Sequence, residues 1–308
     1  MSFLHRSVLR AAIVGTFMSS ALLLGTPMAG AADGTALPLR SYLGAKHAAI
    51  VDASKKASTA TALHAKVTAE SRSGVRRLRL GQNEEFQYIS DSGRDFAGYN
   101  LGAGSWDSLV GTLASAVADE YVVQAAAANI PLDALDVVFT SLPKRQSESL
   151  AYPNNLSYVA YIDSPATEAQ LQALKQAVHA NSAVIHLVTQ PQQVGHAELE
   201  YTATPATRDP SQPPGLREFI SEEKRPAVLA KKAQAAARGK ANEPSTLIAR
   251  AHVEPRTGLR RVFLGKDGYH QQLHDSASSL LGYGLAPTVE EHVLGVTTSC
   301  LAHIFEVQ

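Results

Sequence analysis

The chain has 308 residues, with 28 basic and 28 acidic side chains and no net charge, so no overall field draws it to nucleic acid or to an anionic membrane surface. At 45% hydrophobic and 6% aromatic, it holds enough apolar surface for one large core or two modest ones. Its single cysteine, Cys300, has no partner for an internal disulfide.

Residues 1–31 have the layout of a signal peptide. His5, Arg6 and Arg10 precede an apolar run from Ala11 to Leu24, and Ala29-Gly30-Ala31 fits the small-x-small cleavage rule. The run is 14 residues long and contains Ser19 and Ser20, short of the roughly 20 needed to span a bilayer. An exported protein, periplasmic or secreted and free of the membrane after cleavage, is expected. An unpaired thiol in that setting points to intermolecular pairing or to chemistry.

After a leading charged helix and connector (32–62), the segment 63–204 reads as a complete unit. "HAKVTAES", "GVRRLRLG" and "EFQYISD" are short, alternating and bounded by turn residues, which predicts a three-stranded antiparallel meander. The Ala-rich "SWDSLVGTLASAVADEYVVQAAAANI" predicts a long helix stopped by Pro131. "LDALDVVFT" and "LSYVAYID" read as strands, "ATEAQLQALKQAVHAN" as an amphipathic helix and "AELEYTA" as a closing strand. A Pro-rich linker and a second charged helix fill 205–244.

The remainder, 245–308, repeats the start of the unit. Residues 63–124 align without a gap on 247–308 at an offset of 184, with 20 identities in 62 positions, among them Arg76/Arg260, Arg77/Arg261, Asp91/Asp275 and Gly98/Gly282. Identity of about a third over that length predicts a tandem of one unit, the second copy ending after its long helix as a half unit. "LRSYLGAKHAAIVDASKK" and "LREFISEEKRPAVLAKKA" resemble one another at an offset of 177, so each copy is expected to begin with a charged helix.

This order of strands, long central helix, strands, amphipathic helix and strand resembles the OsmC/organic hydroperoxide resistance family of thiol peroxidases. "APTVEEHVLGVTTSCLAHI" looks like that family's long helix, and "IDSPATEAQLQALKQAVHANSAVIHLV" like its second helix and following loop. The resemblance implies an α+β fold with antiparallel sheets around a long central helix, and intertwined dimers with sites at the interface. It implies Cys300 as the attacking thiolate, Arg260 or Arg261 as the strand arginine that lowers its pKa, and Glu290 as the assisting acid. Ala116 stands in the cysteine's place in the first copy, and Ser182 or a neighbour where a resolving cysteine would be.

Physical chemistry sets conditions on these roles. Free cysteine, with a pKa near ~8.5, is mostly protonated at neutral pH, and mid-helix the macrodipole gives it little help. Alternation puts only one of Arg260 and Arg261 on the inner face. Glu290 precedes Cys300 by ten residues, about 15 Å along one helix, so the acid must come from another helix. Pairing of the two copies within one chain would set Cys300 against Trp106 and Asp107; only a homodimer joining two C-terminal halves would bring Glu290 to it. Thr288 with Glu291 forms a capping box, which gives Glu291 a structural task. Cys300 among Leu301, Ala302 and Ile304 also reads as a small buried hydrophobe. No cofactor is expected and no metal, since Cys300 and His303 are two ligands, His292 lies eleven residues from His303, and His270 with His274 adds only a pair.

Two functions follow. The first is an exported thiol peroxidase that reduces organic hydroperoxides and is regenerated by an external thiol. The second is a catalytically silent pseudoenzyme whose fold is kept as a binding or assembly domain.

Overall fold

The computed structural model describes residues 10–16, 39–56, 62–142, 155–190, 213–237 and 246–307, with single positions between them. Two antiparallel sheets and several helices make a mixed α+β fold. One sheet has six strands, in the order β1 (Arg10–Thr16), β6 (Leu156–Asp163), β5 (Ala134–Ser141), β7 (Leu247–Val253), β8 (Arg260–Leu264) and β9 (His270–His274). The other has three: β2 (Ala65–Ala69), β3 (Arg76–Leu80) and β4 (Phe86–Ser90). Strict alternation along β5 and β6 buries Leu135, Val137, Phe139, Tyr158, Ala160 and Ile162 on one face, as half-buried strands require.

The two meanders share one register at the offset of 184. Ala65↔Leu80 and Ala69↔Arg76 recur as Ala249↔Leu264 and Val253↔Arg260, and Arg76↔Ser90 recurs as Arg260↔His274. Each is followed by a short 3₁₀ turn and a long helix, α2 (Ser105–Ala127) and α7 (Val289–Val307). Asn129, in the left-handed region at φ 53, turns the chain after α2, where Ile130 N donates to Ala125 O at 2.8 Å; Pro131 then prevents continuation. Thr288 and Glu291 close the expected capping box at the start of α7, Thr288 N to Glu291 Oε2 at 2.8 Å and Glu291 N to Thr288 Oγ1 at 3.3 Å.

The long helices are exchanged between the meanders. α2 packs on β7, β8 and β5, whereas α7 packs on β2 and β3. A glycine permits each close approach: a Cβ at Gly111 would lie 2.2 Å from Leu264 Cδ2, and one at Gly295 would lie 2.3 Å from Leu80 Cδ2. Both members of each pair are related by the same 184 residues. Val117, Tyr121, Val122 and Ala125 of α2 are fully buried, each of the larger ones contributing about 1.5–3 kcal/mol of burial.

α1 (Leu39–Ser54) leans on α2 and on the 3₁₀ turn before α7. Its later counterpart runs through α5 (Leu216–Glu218), a π-helical turn (Phe219–Lys224) and α6 (Arg225–Ala237), which contacts the 3₁₀ turn before α2. α3 (Glu168–Asn181), with the expected amphipathic face, and α4 (Ala183–Thr189) cover α2. The expected closing strand and most of the Pro-rich linker lie outside the described residues. Within the stretch read as a leader, Arg10–Thr16 forms an edge strand on β6, from Arg10↔Asp163 to Thr16↔Ser157. Among the described residues, no helix is long and apolar enough to cross a membrane.

Candidate functional site

Arg260 opens β8 facing inward and is fully buried, while its neighbour Arg261 points outward, half-exposed, 3.6 Å from Glu254. The inward face is opposed to α2. Arg260 Nε donates to Ser115 Oγ (3.3 Å), Nη1 to Asp119 Oδ1 (2.8 Å), Ser276 Oγ (3.1 Å) and the Gly258 carbonyl (3.2 Å), and Nη2 to the Asp275 carbonyl (2.6 Å). From α1, Lys46 Nζ donates to Ser276 Oγ at 2.8 Å, and that hydroxyl donates to Asp119 Oδ1 at 3.1 Å. Burial pushes the Lys46 ammonium down to about 8 and the Tyr42 phenol up to about 12, because the charged form of each loses water.

The same construction surrounds Arg76, buried at the start of β3. Its Nε donates to Ser299 Oγ (3.1 Å), its Nη1 to Glu306 Oε2 (2.9 Å) and His303 Nδ1 (3.1 Å), and its Nη2 to Ser90 Oγ (3.4 Å). His303 Nδ1 also lies 3.4 Å from Glu306 Oε2. Lys224 Nζ donates to Ser92 Oγ at 2.8 Å and lies 4.0 Å from Glu306 Oε2, and burial lowers its pKa. Ser115/Ser299 and Ser92/Ser276 are identical at the offset of 184. The carboxylate moves: Asp119 corresponds to His303, and Glu306 to Val122.

Asp91 and Asp275 hold the loops beside these networks. Asp91 accepts from the amides of Ser92, Tyr99 and Leu101, and Asp275 from those of Ser276, Tyr283 and Leu285. Three amide bonds fix a carboxylate and the loop that wraps it.

The sequence-derived site residues are not gathered into one centre. Cys300 is half-buried on α7, one residue and about 100° round the helix from the serine that Arg76 holds. Arg260, expected to serve that thiol, serves Ser115 on the other long helix; the arginine that reaches α7 is Arg76. The exchange of the long helices sets Arg260 against α2 and Arg76 against α7. Glu290 is exposed in the first turn of α7, ten residues from Cys300 along an unbroken helix. The first turn of α2 does reach α7, with Ser105 Oγ 3.4 Å from Ser299 Oγ. Ser182 caps α4, accepting from Ile185 N at 3.3 Å.

Two further histidines, His274 and His292, pair with each other. His274 Nε2 and His292 Nδ1 are 2.9 Å apart and fully buried, with Tyr88 edge-on to His292 at 4.8 Å. Among the described residues His274 Nδ1 and His292 Nε2 have no hydrogen-bond partner. Burial lowers the pKa of both, His292 to about 3, so the pair is neutral. Among the described residues, no group of three His, Cys, Asp or Glu side chains is gathered as a metal would need. A surface depression of about 500 Å³ is lined by Glu70, Arg72, Arg77, Ile89 and Leu101 and includes neither Cys300 nor Arg76.

Sequence reasoning missed Ser115, Ser299, Lys46 and Lys224. The serines carried a signal, identity at the offset beside the two arginines. The lysines did not, because Lys46 and Lys224 are 178 apart while Tyr42 and Phe219 are 177 apart. The π-helical turn Phe219–Lys224 absorbs the extra residue. Tyr42 and Phe219 accordingly stack over the turn glycines Gly258 and Gly74. Comparison with protein-family models and with curated proteins gives no match.

Proposed function

We propose that the chain is a catalytically silent, OsmC-like pseudoenzyme: a tandem of one complete unit and one half unit, exported after cleavage near Ala31 and used as an assembly domain. The observation that carries this reading is that both buried arginines close on serines, Ser115 and Ser299, and not on a thiol. A peroxidatic cysteine needs a fixed positive charge beside its sulfur. Arg76 has its nitrogens engaged with Ser299, Glu306, His303 and Ser90, and Arg260 is bound to α2. The exchange of α2 and α7 supports an internal pseudo-dimer of the OsmC kind.

The competing reading is a thiol peroxidase in which Cys300 attacks an organic hydroperoxide and an external thiol clears the sulfenic acid. Both are tested by adding cumene hydroperoxide to native protein and trapping sulfenic acid at Cys300. The expected result is labelling no faster than that of free cysteine and unchanged in Arg76→Ala, Arg260→Ala or Glu290→Gln variants that remain folded. Rapid labelling lost with one of those substitutions would establish the peroxidase.

A further inference from the structure

The two sheets are finished differently. β7 is bonded on both edges, to β8 and to β5, whereas its counterpart β2 is bonded only to β3 among the described residues. Glu70 N donates to Val75 O at 2.8 Å, next to the pair Ala69↔Arg76. Alternation of an antiparallel ladder then turns the backbone groups of Lys66, Thr68 and Glu70 toward β3, and those of Ala65, Val67 and Ala69 to the open edge.

An apolar stripe of α7 flanks that edge. Leu301 is 53% exposed and Phe305 77%. Their counterparts on α2, Val117 and Tyr121, are 1% and 0% exposed, beneath β5 and α3. Where β5 covers β7, its Asp136 carboxylate stands 3.7 Å from Arg250 and 3.2 Å from His252, and Arg250 is the counterpart of Lys66.

We propose that this face binds the same face of a second copy of the chain, β2 against β2, antiparallel about a two-fold axis through Thr68. This register is charge-complementary: Lys66 of one copy stands opposite Glu70 of the other, twice by symmetry. It also matches the backbone groups turned away from β3, since Val67 faces Ala69 as a hydrogen-bonded pair and Thr68 faces Thr68 as a close, non-hydrogen-bonded one. Shifting the axis to Val67 would set Lys66 against Thr68 and Glu70 against His64, so Lys66 would lose its acidic partner. An axis normal to the sheet keeps both α7 helices on one face, so the two Leu301–Phe305 stripes are covered over a joint six-stranded sheet. Lys66 is exposed and Glu70 half-buried, and among the described residues their ion pairs are with the half-buried Glu84 (3.6 Å) and the exposed Arg77 (3.1 Å), so both can turn to the new partner.

The inference rests on the reading of the chain as an assembly domain, and its test is independent of the thiol assay, which reads Cys300 alone. The full chain is followed by sedimentation across the micromolar range, and Thr68→Cys in a Cys300→Ser background is oxidised. A reversible dimer and a disulfide-linked dimer through position 68 are expected. Lys66→Glu should weaken dimerisation about tenfold, two like-charge pairs replacing two attractive ones, and Lys66→Glu with Glu70→Lys should restore it. A monomer throughout the range overturns the proposal. So does a dimer that neither cross-links at position 68 nor responds to the charge reversal, because it then uses another face.

Discussion

Glu306 is the carboxylate bonded to Arg76, and it also lies nearest Lys224, so Glu306→Val leaves two buried cations without their acid. Breaking a buried ion pair by removing one partner costs about 3–5 kcal/mol. Glu306 Oε1 is itself buried without a hydrogen-bond partner among the described residues, and removing that orphan returns about 1–2 kcal/mol. The expected net loss is about 2–3 kcal/mol, or a urea midpoint lower by about 1 M for a slope near 3 kcal/mol/M. The other half suggests the rescue: there the acid stands one turn earlier, at Asp119, with Val122 in the place of Glu306. His303→Asp added to Glu306→Val copies that arrangement and should recover the stability to within about 1 kcal/mol of wild type. Urea unfolding of wild type, single and double variants at equal slopes measures all three. A Glu306→Val midpoint equal to wild type, or a double variant no better than the single, would refute the view that the two networks are interchangeable.

The buried His274–His292 pair makes stability fall in acid. Both folded pKa values lie below the unfolded ~6.5, so the unfolded chain binds more protons below that pH, and stability is lost as pH drops from about 6.5 toward 3. Urea midpoints at pH 7.5 and 5 should differ more for wild type than for His274→Ser with His292→Ser, the residues found at Ser90 and Ser108; equal differences would remove the pair from the account. The mature chain should begin near Ala32 or Asp33, and N-terminal sequencing of exported protein that finds Met1 would reject cleavage. Residues 245–308 expressed alone should be unfolded or insoluble, because α7 packs on β2 and β3 of the other half and without them exposes both faces; a stable folded monomer would contradict the exchange.

Local structure was legible wherever period and punctuation agreed. The three short alternating segments after Leu63 are β2, β3 and β4, Pro131 follows the end of α2, and Thr288 with Glu291 caps α7. What the sequence could not supply was the partner of each inward face. A strand pattern states that Arg260 faces inward; it does not state that the helix opposite is α2 and not the α7 that follows it in the chain. For that reason the strand pattern alone could set Arg260 beside α7, although it bonds to Ser115 of α2. The lysines were hidden for a different one: a π-helical turn changes an alignment by one residue without moving the side chains on either side of it in space.

The positions that differ between the halves carry as much argument as those that match. Arg76/Arg260, Ser115/Ser299, Ser92/Ser276 and Asp91/Asp275 are identical, and every one is bonded into a network or a loop clamp. Ala116/Cys300 differs and is hydrogen-bonded to neither arginine. The carboxylate has shifted by a turn, from Asp119 to Glu306, with its charge retained, as expected if what matters is neutralising a buried Arg and Lys and not placing an acid at one atom. Val117/Leu301 and Tyr121/Phe305 keep their apolar character although only the first of each pair is buried. A surface of one half that remains as apolar as the core of the other is the feature that an isolated, finished domain would have no physical reason to keep.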